Sequence, residues 1–360
     1  VKARGMVAED YSTAENSGSI TTLGDASFGM EVIEYSHGEN SGSITTNGFG
    51  SNGMAAGGNS EARNLETGQI LTLGDWAYGM SASTDSKAFN EGSIVTSGDN
   101  SHGMFAFLRS IAQNEGDIIT SGDEAHGLFA EHDSKAFNEG DVETGGDNAF
   151  GMYALNNSFA GNFGDGTIET KGSGSHGMVA SGDSAAVNTS KVVTHGDGAF
   201  GMYALNDSFV GHFSSDTVET WGAGSHGMVA EDSSTAVNTG QVVTHGPYAF
   251  GMYALNDSFV GNFGDGVVRT WGKRSHGMVA SDDSWAVNTG TAATRNDDSF
   301  GMYALNDSFV GNFGDGVVRT WGTRSHGMVV SDDSRAVNTG TVATRNDDSY
   351  GMYALNDSFV

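Results

Sequence analysis

All fourteen methionines of this 360-residue chain occupy one position of a regular repeat. Each follows a glycine, and the Gly-Met pairs recur every 24 or 26 residues, with Leu128 filling the single gap. The methionines are Met6, Met30, Met54, Met80, Met104, Met152, Met178, Met202, Met228, Met252, Met278, Met302, Met328 and Met352. A fixed period of this length indicates a repeat protein, in which each repeat buries its apolar side against its neighbours.

Within one repeat, the residues alternate as they do along β-strands. The recurring positions in residues 227–250 are Met228, Ala230, Ser234, Ala236, Asn238, Val242, Thr244 and Phe250. Spacing by two is typical of strands, and Gly, Asn, Asp and Ser clusters divide the repeat into three segments. We therefore predict an all-β fold, a right-handed parallel β-helix (β-solenoid) in which each 24- or 26-residue rung contributes three short strands.

Successive rungs of such a fold place like residues on like residues. One Thr recurs in every rung, preceded two residues earlier by Ile, Val or once Ala292. An Asn recurs as well, replaced once by His212. We expect a core of Met, Ala, Val and Thr, with aromatic rings only in the Phe/His column that precedes Gly-Met. The recurring Asn side chains are expected to hydrogen-bond from rung to rung.

The repeats differ between the two parts of the chain. Residues 1–150 form irregular rungs, whereas residues 151–360 follow a 50-residue double rung of 26 plus 24 residues. Residues 251–300 and 301–350 differ at only five positions. We predict a single β-solenoid over residues 1–360 with about 14.5 rungs and no caps, a fragment of a longer repeat protein.

Composition and charge exclude several functional classes. The net charge of −29 argues against binding to nucleic acid or to anionic membranes. Positions 1–150 contain 6 basic and 23 acidic residues, a net charge of −17. Positions 151–360 contain 10 basic and 22 acidic residues, a net charge of −12. The chain has no cysteine for disulfides or thiolate metal sites. No apolar run reaches the length of a membrane helix, so we expect no membrane insertion of this segment.

One sequence pattern resembles the repeats in passenger regions of bacterial autotransporters and related large surface proteins. In one rung the pattern is carried by Gly79, Met80, Ala82, Ser86, Ala88, Asn90, Gly92, Ile94, Thr96, Gly98 and Asp99. The resemblance covers essentially the whole chain. It implies a right-handed parallel β-helix exported to the cell surface, commonly as an adhesin or stalk.

Two recurring motifs raise the question of metal binding. Histidine recurs before Gly-Met but alternates with aromatic residues from His176 onward, so most histidines of this column lie two rungs apart, too far to share a zinc ion. Acidic clusters such as 296–298 match neither an EF-hand loop nor a calcium-binding nonapeptide repeat. We interpret both motifs as structural, and we predict no cofactor and no metal site.

Tryptophan recurs directly after the Thr column, at Trp221, Trp271 and Trp321. These residues have the opposite parity to the Thr column, so they should face outward, and Arg269 and Arg319 should share their face. Exposed aromatic rows often mark interaction surfaces. The residues are candidates for contact with glycans or with a neighbouring filament, and the alternative is that loop residues cover the rings.

Catalysis finds little support, because a triad drawn from repeated residues would occur many times over. Ice binding needs a flat outward array of Thr, whereas the single Thr of each rung should face inward. The sequence predicts a protein that is not an enzyme: an extracellular structural and adhesive stalk or filament on the bacterial surface. Expected partners are host or neighbouring-cell surfaces, glycans or matrix. The alternatives are a carbohydrate-active β-helix lyase or hydrolase, and a fibre that associates laterally or head to tail.

Overall fold

The computed structural model describes residues 3–360, in which every regular element is a β-strand. The chain divides into two compact units, Val1–Met178 and Val179–Val360. Strands are numbered β1 to β43 in chain order. In both units each rung supplies one strand to each of three parallel sheets. The predicted all-β parallel solenoid with three strands per rung is thereby confirmed.

The first unit contains seven rungs. Its first sheet comprises β1 (Met6–Ala8), β4 (Met30–Ile33), β7 (Met54–Gly57), β10 (Met80–Ser83), β13 (Met104–Phe107), β16 (Leu128–Glu131) and β19 (Met152–Leu155). Its second sheet comprises β2 (Thr13–Asn16), β5 (His37–Asn40), β8 (Glu61–Asn64), β11 (Lys87–Asn90), β14 (Ile111–Asn114), β17 (Lys135–Asn138) and β20 (Phe159–Asn162). Its third sheet comprises β3 (Ser19–Thr22), β6 (Ser43–Thr46), β9 (Gln69–Thr72), β12 (Ser93–Thr96), β15 (Asp117–Thr120), β18 (Val142–Thr144) and β21 (Thr167–Thr170).

The second unit is built in the same way. Its first sheet comprises β22 (Met178–Ser181), β25 (Met202–Leu205), β28 (Met228–Glu231), β31 (Met252–Leu255), β34 (Met278–Ser281), β37 (Met302–Leu305), β40 (Met328–Ser331) and β43 (Met352–Ala354). Its second sheet comprises β23 (Ala185–Asn188), β26 (Phe209–His212), β29 (Thr235–Asn238), β32 (Phe259–Asn262), β35 (Trp285–Asn288), β38 (Phe309–Asn312) and β41 (Arg335–Asn338). Its third sheet comprises β24 (Lys191–Thr194), β27 (Thr217–Thr220), β30 (Gln241–Thr244), β33 (Val267–Thr270), β36 (Thr291–Thr294), β39 (Val317–Thr320) and β42 (Thr341–Thr344).

The register places each residue type on its own kind in the next rung. Met80 pairs with Met104, for example, and Thr96 pairs with Thr120. Met104 is fully buried and Thr120 is 1% exposed. Burial of one methionine side chain contributes about 1.5–3 kcal/mol, so a column of them accounts for much of the core. The predicted core of Met, Ala, Val and Thr is thus present in the structure.

The glycine before each methionine has a steric reason. A Cβ added at Gly79 would lie 2.2 Å from Cγ2 of Ile94 and 2.6 Å from the carbonyl oxygen of Gly103. Both distances are far shorter than a van der Waals contact, so no side chain fits here. Ile94 belongs to the same rung and Gly103 to the next rung. The recurrence of Gly-Met is therefore a packing requirement of the solenoid.

Polar side chains inside the rungs form ladders of hydrogen bonds. Nδ2 of Asn90 donates to Oδ1 of Asn114 at 2.7 Å, and Asn114 donates in turn to Asn138 at 2.8 Å. The Thr96 hydroxyl donates to the carbonyl of Ser101 at 2.6 Å. The predicted asparagine ladder is confirmed. Within residues 3–360, a single buried side-chain atom lacks a hydrogen-bond partner, the hydroxyl of Thr294.

At Phe250, the Phe/His column departs from the expectation that its rings contribute to the core. Phe250, assigned from its spacing to the inward set, is only half-buried, whereas Ala249 and Met252 on either side are fully buried. The ring packs edge-on against Tyr253 with centroids 5.4 Å apart. The chain turns at Gly251, and this turn restarts the alternation, which places the ring on the outer surface.

Candidate interaction surfaces

The three predicted tryptophans lie on the outer surface of the second unit, directly after the third strand of their rungs. The side chains of Trp221 and Trp271 are 47% and 38% exposed, and Trp321 is half-buried. The next residue in this column, one rung after each tryptophan, is His245, Arg295 or Arg345. We call the set Trp221, His245, Trp271, Arg295 and Trp321 the indole ladder.

Three neighbouring pairs of the indole ladder stack on one another. The rings of Trp221 and His245 are nearly parallel at 7°, with centroids 3.8 Å apart. The guanidinium carbon of Arg295 lies 4.4 Å from the Trp271 ring centroid and 5.2 Å from that of Trp321. Arg295 therefore makes cation–π contacts to two indoles, each contributing about 0.5–1 kcal/mol at an exposed site.

From the sequence, Arg269 and Arg319 were expected to share the face of these indoles, and Arg295 was not identified. Arg269 is half-buried, and its Nη1 lies 3.5 Å from Oε1 of Gln241, while Arg319 is exposed. Among residues 3–360, neither guanidinium lies over an aromatic ring as that of Arg295 does. The signal was available, since Arg295 follows Thr294 as Trp271 follows Thr270, but recognising it requires comparing adjacent rungs at one column.

The chemistry of the indole ladder is set by which parts of the rings remain open. Arg295 covers one face of Trp271 and one face of Trp321. Nε2 of His245 is held at 2.8 Å from a carboxylate oxygen of Glu219. The indoles of Trp221 and Trp271 nevertheless remain 47% and 38% exposed. Exposed aromatic side chains in a row of this kind often mark an interaction surface.

A second aromatic cluster lies on the first unit. The rings of Tyr78, His102, His126 and Phe150 form one continuous stack, with successive centroids 5.1, 4.8 and 4.7 Å apart. Phe129, on the outer face of β16, meets both imidazoles edge-on at 5.2 and 5.6 Å. Stacked and edge-on rings at these distances stabilise the turn beyond simple burial.

The two imidazoles of this stack accept hydrogen bonds from the backbone. Nδ1 of His102 accepts the N–H of His126 at 3.1 Å, and Nδ1 of His126 accepts the N–H of Phe150 at 3.0 Å. Burial lowers the pKa of His126 to about 3 and that of His102 well below its ordinary value. Both rings are therefore neutral near pH 7, with the proton on Nε2.

Histidines at the corresponding turn of the second unit also accept hydrogen bonds from the backbone. Nδ1 of His226 and of His276 each accepts a backbone N–H of the following rung at 2.9 Å. Among residues 3–360 no three His, Asp or Glu side chains come together as metal ligands would. The column therefore has a clear structural role, the pairing of backbone N–H groups at a turn.

The acidic turns carry cross-rung hydrogen bonds. Nδ2 of Asn306 donates to a carboxylate oxygen of Asp282 at 2.8 Å, and Asn256 donates to Asp232 at 2.9 Å. These residues have positive φ, which Asn and Asp tolerate better than other side chains. Their composition is thus explained by turn geometry.

Within the described residues no helix occurs that is long and apolar enough to span a membrane.

The comparisons with known proteins agree with this architecture. A chain in the cryo-EM structure of the Vag8–C1 inhibitor complex is similar in fold, with a TM-score of 0.57 and 14% identity over 99% of this chain and 100% of that chain. No curated protein matches the sequence.

The family of the BigA third pectate lyase-like domain matches residues 1–106, 51–164, 100–211, 146–265 and 190–320. BigA is an autotransporter-type surface protein, so the resemblance to autotransporter passenger regions is confirmed. The words "pectate lyase-like" describe a relationship of fold. These overlapping matches cover most of the sequence, and the chain therefore belongs to the family of the BigA third pectate lyase-like domain.

Proposed function

We propose that this chain is a rigid part of a bacterial surface adhesin that contacts glycans of neighbouring cells or matrix through the indole ladder. The observation that carries the proposal is the row Trp221, Trp271 and Trp321, which recurs every second rung on the outside of a chain whose inward positions are filled by stacked side chains. Members of autotransporter-related families are secreted or surface-exposed, which supports an extracellular role.

The inward columns support the structural half of the proposal. Met252 and Asn262 are fully buried, and Nδ2 of Asn262 donates to Oδ1 of Asn288 at 2.8 Å in the next rung. Each rung is therefore tied to the next by backbone pairing and by side-chain ladders. A chain built in this way resists local deformation, as a stalk requires.

The repetition of the outward columns supports the adhesive half. Copies of one weak contact in a row bind a repetitive partner such as a polysaccharide with far greater strength than any single contact. The net charge of −29 disfavours anionic polymers, so neutral or amino-sugar polymers are the expected ligands. In this proposal Trp271, Arg295 and Trp321 form the contact, and Arg269 and Arg319 border it.

Binding of the purified chain to a glycan array tests the proposal. The W271S/W321S double variant should lose most of the array signal, while W285S, which removes another exposed indole of the second unit, should retain it. Circular dichroism at 218 nm would verify that both variants keep the β fold. Equal array signals for the wild type and W271S/W321S would refute the assignment of the indole ladder.

A carbohydrate-active enzyme is the second candidate, which the family's lyase-like fold brings into consideration. Incubation of the purified chain with neutral polysaccharides and with polygalacturonate would detect shortened products. Turnover that persists in an independently purified preparation would replace the adhesive proposal with an enzymatic one. For the fibre alternative, light scattering as a function of protein concentration is the corresponding measurement.

A further inference from the structure

A groove of about 440 Å³ opens over the His102–His126 stack in the first unit. Trp76 stands at its border, and Phe129 and Phe150 complete its apolar lining. A volume of this size falls in the range of small-ligand sites, about 300–1,000 Å³. We call it the histidine groove.

The floor of the histidine groove offers two unused hydrogen-bond donors. His102 is 5% exposed and His126 is 8% exposed, so both are more than nine-tenths buried. Their Nδ1 atoms are occupied by backbone N–H groups, which leaves the proton on Nε2. Within residues 3–360 neither Nε2 atom has a protein hydrogen-bond partner, and both imidazoles line the groove. Among these residues the Thr294 hydroxyl alone is a buried side-chain atom without a partner, so both Nε2–H donors are open to solvent in the groove, where a ligand hydroxyl can take the place of water.

The charge of the groove selects against anions. Burial keeps both imidazoles neutral, so they attract no anion by charge. The carboxylate of Glu124 stands exposed on the wall, flanked in the adjacent rungs by the amides of Asn100 and Asn148. A carboxylate only accepts hydrogen bonds, whereas an imidazole Nε2–H only donates. A hydroxyl group satisfies both kinds of partner at once.

The apolar side of the groove completes the match. The indole of Trp76 is 49% exposed at the rim, and the Phe129 ring is half-buried beside both histidines. A ligand that fits must carry hydroxyls along its edge and C–H groups on its face, in a ring small enough for the cavity. We infer that the histidine groove is a binding site for one unit of a neutral saccharide, a pyranose ring held between Trp76 and Phe129 with hydroxyls on His102, His126 and Glu124.

Among residues 3–360 this combination of side chains occurs once, unlike the indole ladder. The rim column reads Trp76, Asn100, Glu124 and Asn148 through the groove, whereas in the second unit it holds Tyr248, Arg274, Asp298 and Arg324. Arg324 and Asp298 there pair with each other at 2.8 and 3.0 Å. The inference shares with the proposed function the premise that the chain binds glycans, but it assigns a different surface, and it supplies a specific contact beside the repeated weak ones.

Two variants remove the ligand contacts with little change to the backbone. W76N places at the rim the residue type found one rung later at Asn100, where φ is also positive. H126N introduces the residue type found at position 52 of the same column. There, Oδ1 of Asn52 accepts the N–H of Tyr78 at 3.0 Å, so an Asn side chain can replace the imidazole as acceptor. Each variant is expected to weaken binding about tenfold, the effect of losing one well-formed contact.

The experiment is saturation-transfer NMR of the full chain with methyl glycosides of glucose, galactose, mannose and N-acetylglucosamine, and with galacturonate as the charged counterpart. At least one neutral glycoside should bind saturably below about 10 mM, and galacturonate should not. W76N and H126N should weaken that binding, while W285S, which lies outside both surfaces, should leave it unchanged. W271S/W321S is measured in parallel.

The outcomes separate this inference from the proposed function. Absence of saturable binding by any neutral glycoside overturns the inference, as does binding that W76N and H126N leave intact, or a preference for galacturonate. Binding lost only in W271S/W321S would assign the saccharide to the indole ladder, which upholds the proposed function and refutes the histidine groove.

Discussion

Acid should loosen the turn that contains His126, because this imidazole is neutral in the folded chain. The ring is 8% exposed, and its Nδ1 accepts the N–H of Phe150 at 3.0 Å. Burial lowers its pKa from 6.5 to about 3. Protonation would place a charge in an apolar stack and remove the acceptor for Phe150 at the same time.

The sign and size of the effect follow from proton linkage. The folded state binds fewer protons than the unfolded chain between pH 6.5 and pH 3, so the stabilisation is complete above pH 6.5 and is lost as the pH falls toward 3. A pH of 5 is about 1.5 pH units below the pKa of the imidazole in the unfolded chain. The free energy that keeps this turn closed should therefore be lower by about 2 kcal/mol than at neutral pH. Local opening at this turn should become roughly thirtyfold more frequent.

Amide hydrogen exchange of Phe150 measures this opening directly, after correction for the intrinsic exchange rate at each pH. The wild type should lose about thirtyfold of its protection between pH 7.5 and pH 5. The H126N variant, which keeps an acceptor as Asn52 does but cannot be protonated, should lose much less. Equal protection of the wild type at both pH values, or an equal loss in H126N, would refute the reasoning.

Three further predictions concern the core, the register and the indole ladder. M252D buries a charge, so it should lower the free energy of unfolding of the second unit by more than about 3 kcal/mol. The control M252L should lower it by under about 1.5 kcal/mol, because Leu128 fills the same column. Similar midpoints of chemical unfolding for the two variants would contradict the inward assignment of Met252. In this cysteine-free chain, S93C/D117C should form a disulfide on oxidation, because the two residues pair in adjacent strands about 4.8 Å apart. The control S93C/I119C should form none, because its two residues are about 8 Å apart. Cross-linking of the second pair alone would show a different register. R295M should lower the free energy of unfolding by about 1 kcal/mol and change the indole fluorescence, because it removes the cation that stacks on two indoles. R345M is the control. Unchanged fluorescence in R295M would mean that the stack does not persist in solution.

The inward half of each rung could be predicted from the sequence because its signals are local and repeated. The spacing by two at Met228 and Ala230 defines a strand, and the repeat of 24 or 26 residues places like residues in register. The asparagine ladder follows for the same reason, since a buried amide needs a partner and the nearest one is its own copy in the next rung.

The outer surface was harder to predict because it depends on contacts between different residues of adjacent rungs. Arg295 stacks between Trp271 and Trp321, which become neighbours only when the rungs are aligned column by column. The orientation of Phe250 depends on how the turn at Gly251 resets the alternation. Neither feature has a signature within a single repeat.

The histidines were interpreted as structural from the sequence, but the hydrogen bonds that they make could not be read from it. His126 stacks on Phe150, the residue of the same column in the next rung. That Nδ1 accepts a backbone N–H of the next rung depends on the path of the chain through the turn. The same contact fixes the position of the free proton, on which the saccharide inference depends.

Adhesion of cells that display the chain on their surface tests the central claim most directly. In a flow chamber coated with the glycan selected on the array, bacteria displaying the wild type should resist detachment at shear rates that remove bacteria displaying W271S/W321S at equal surface density. The account predicts adhesion that depends on the indole ladder and survives W285S. Adhesion that is equal for the wild type and W271S/W321S, or absent for the wild type, would contradict it.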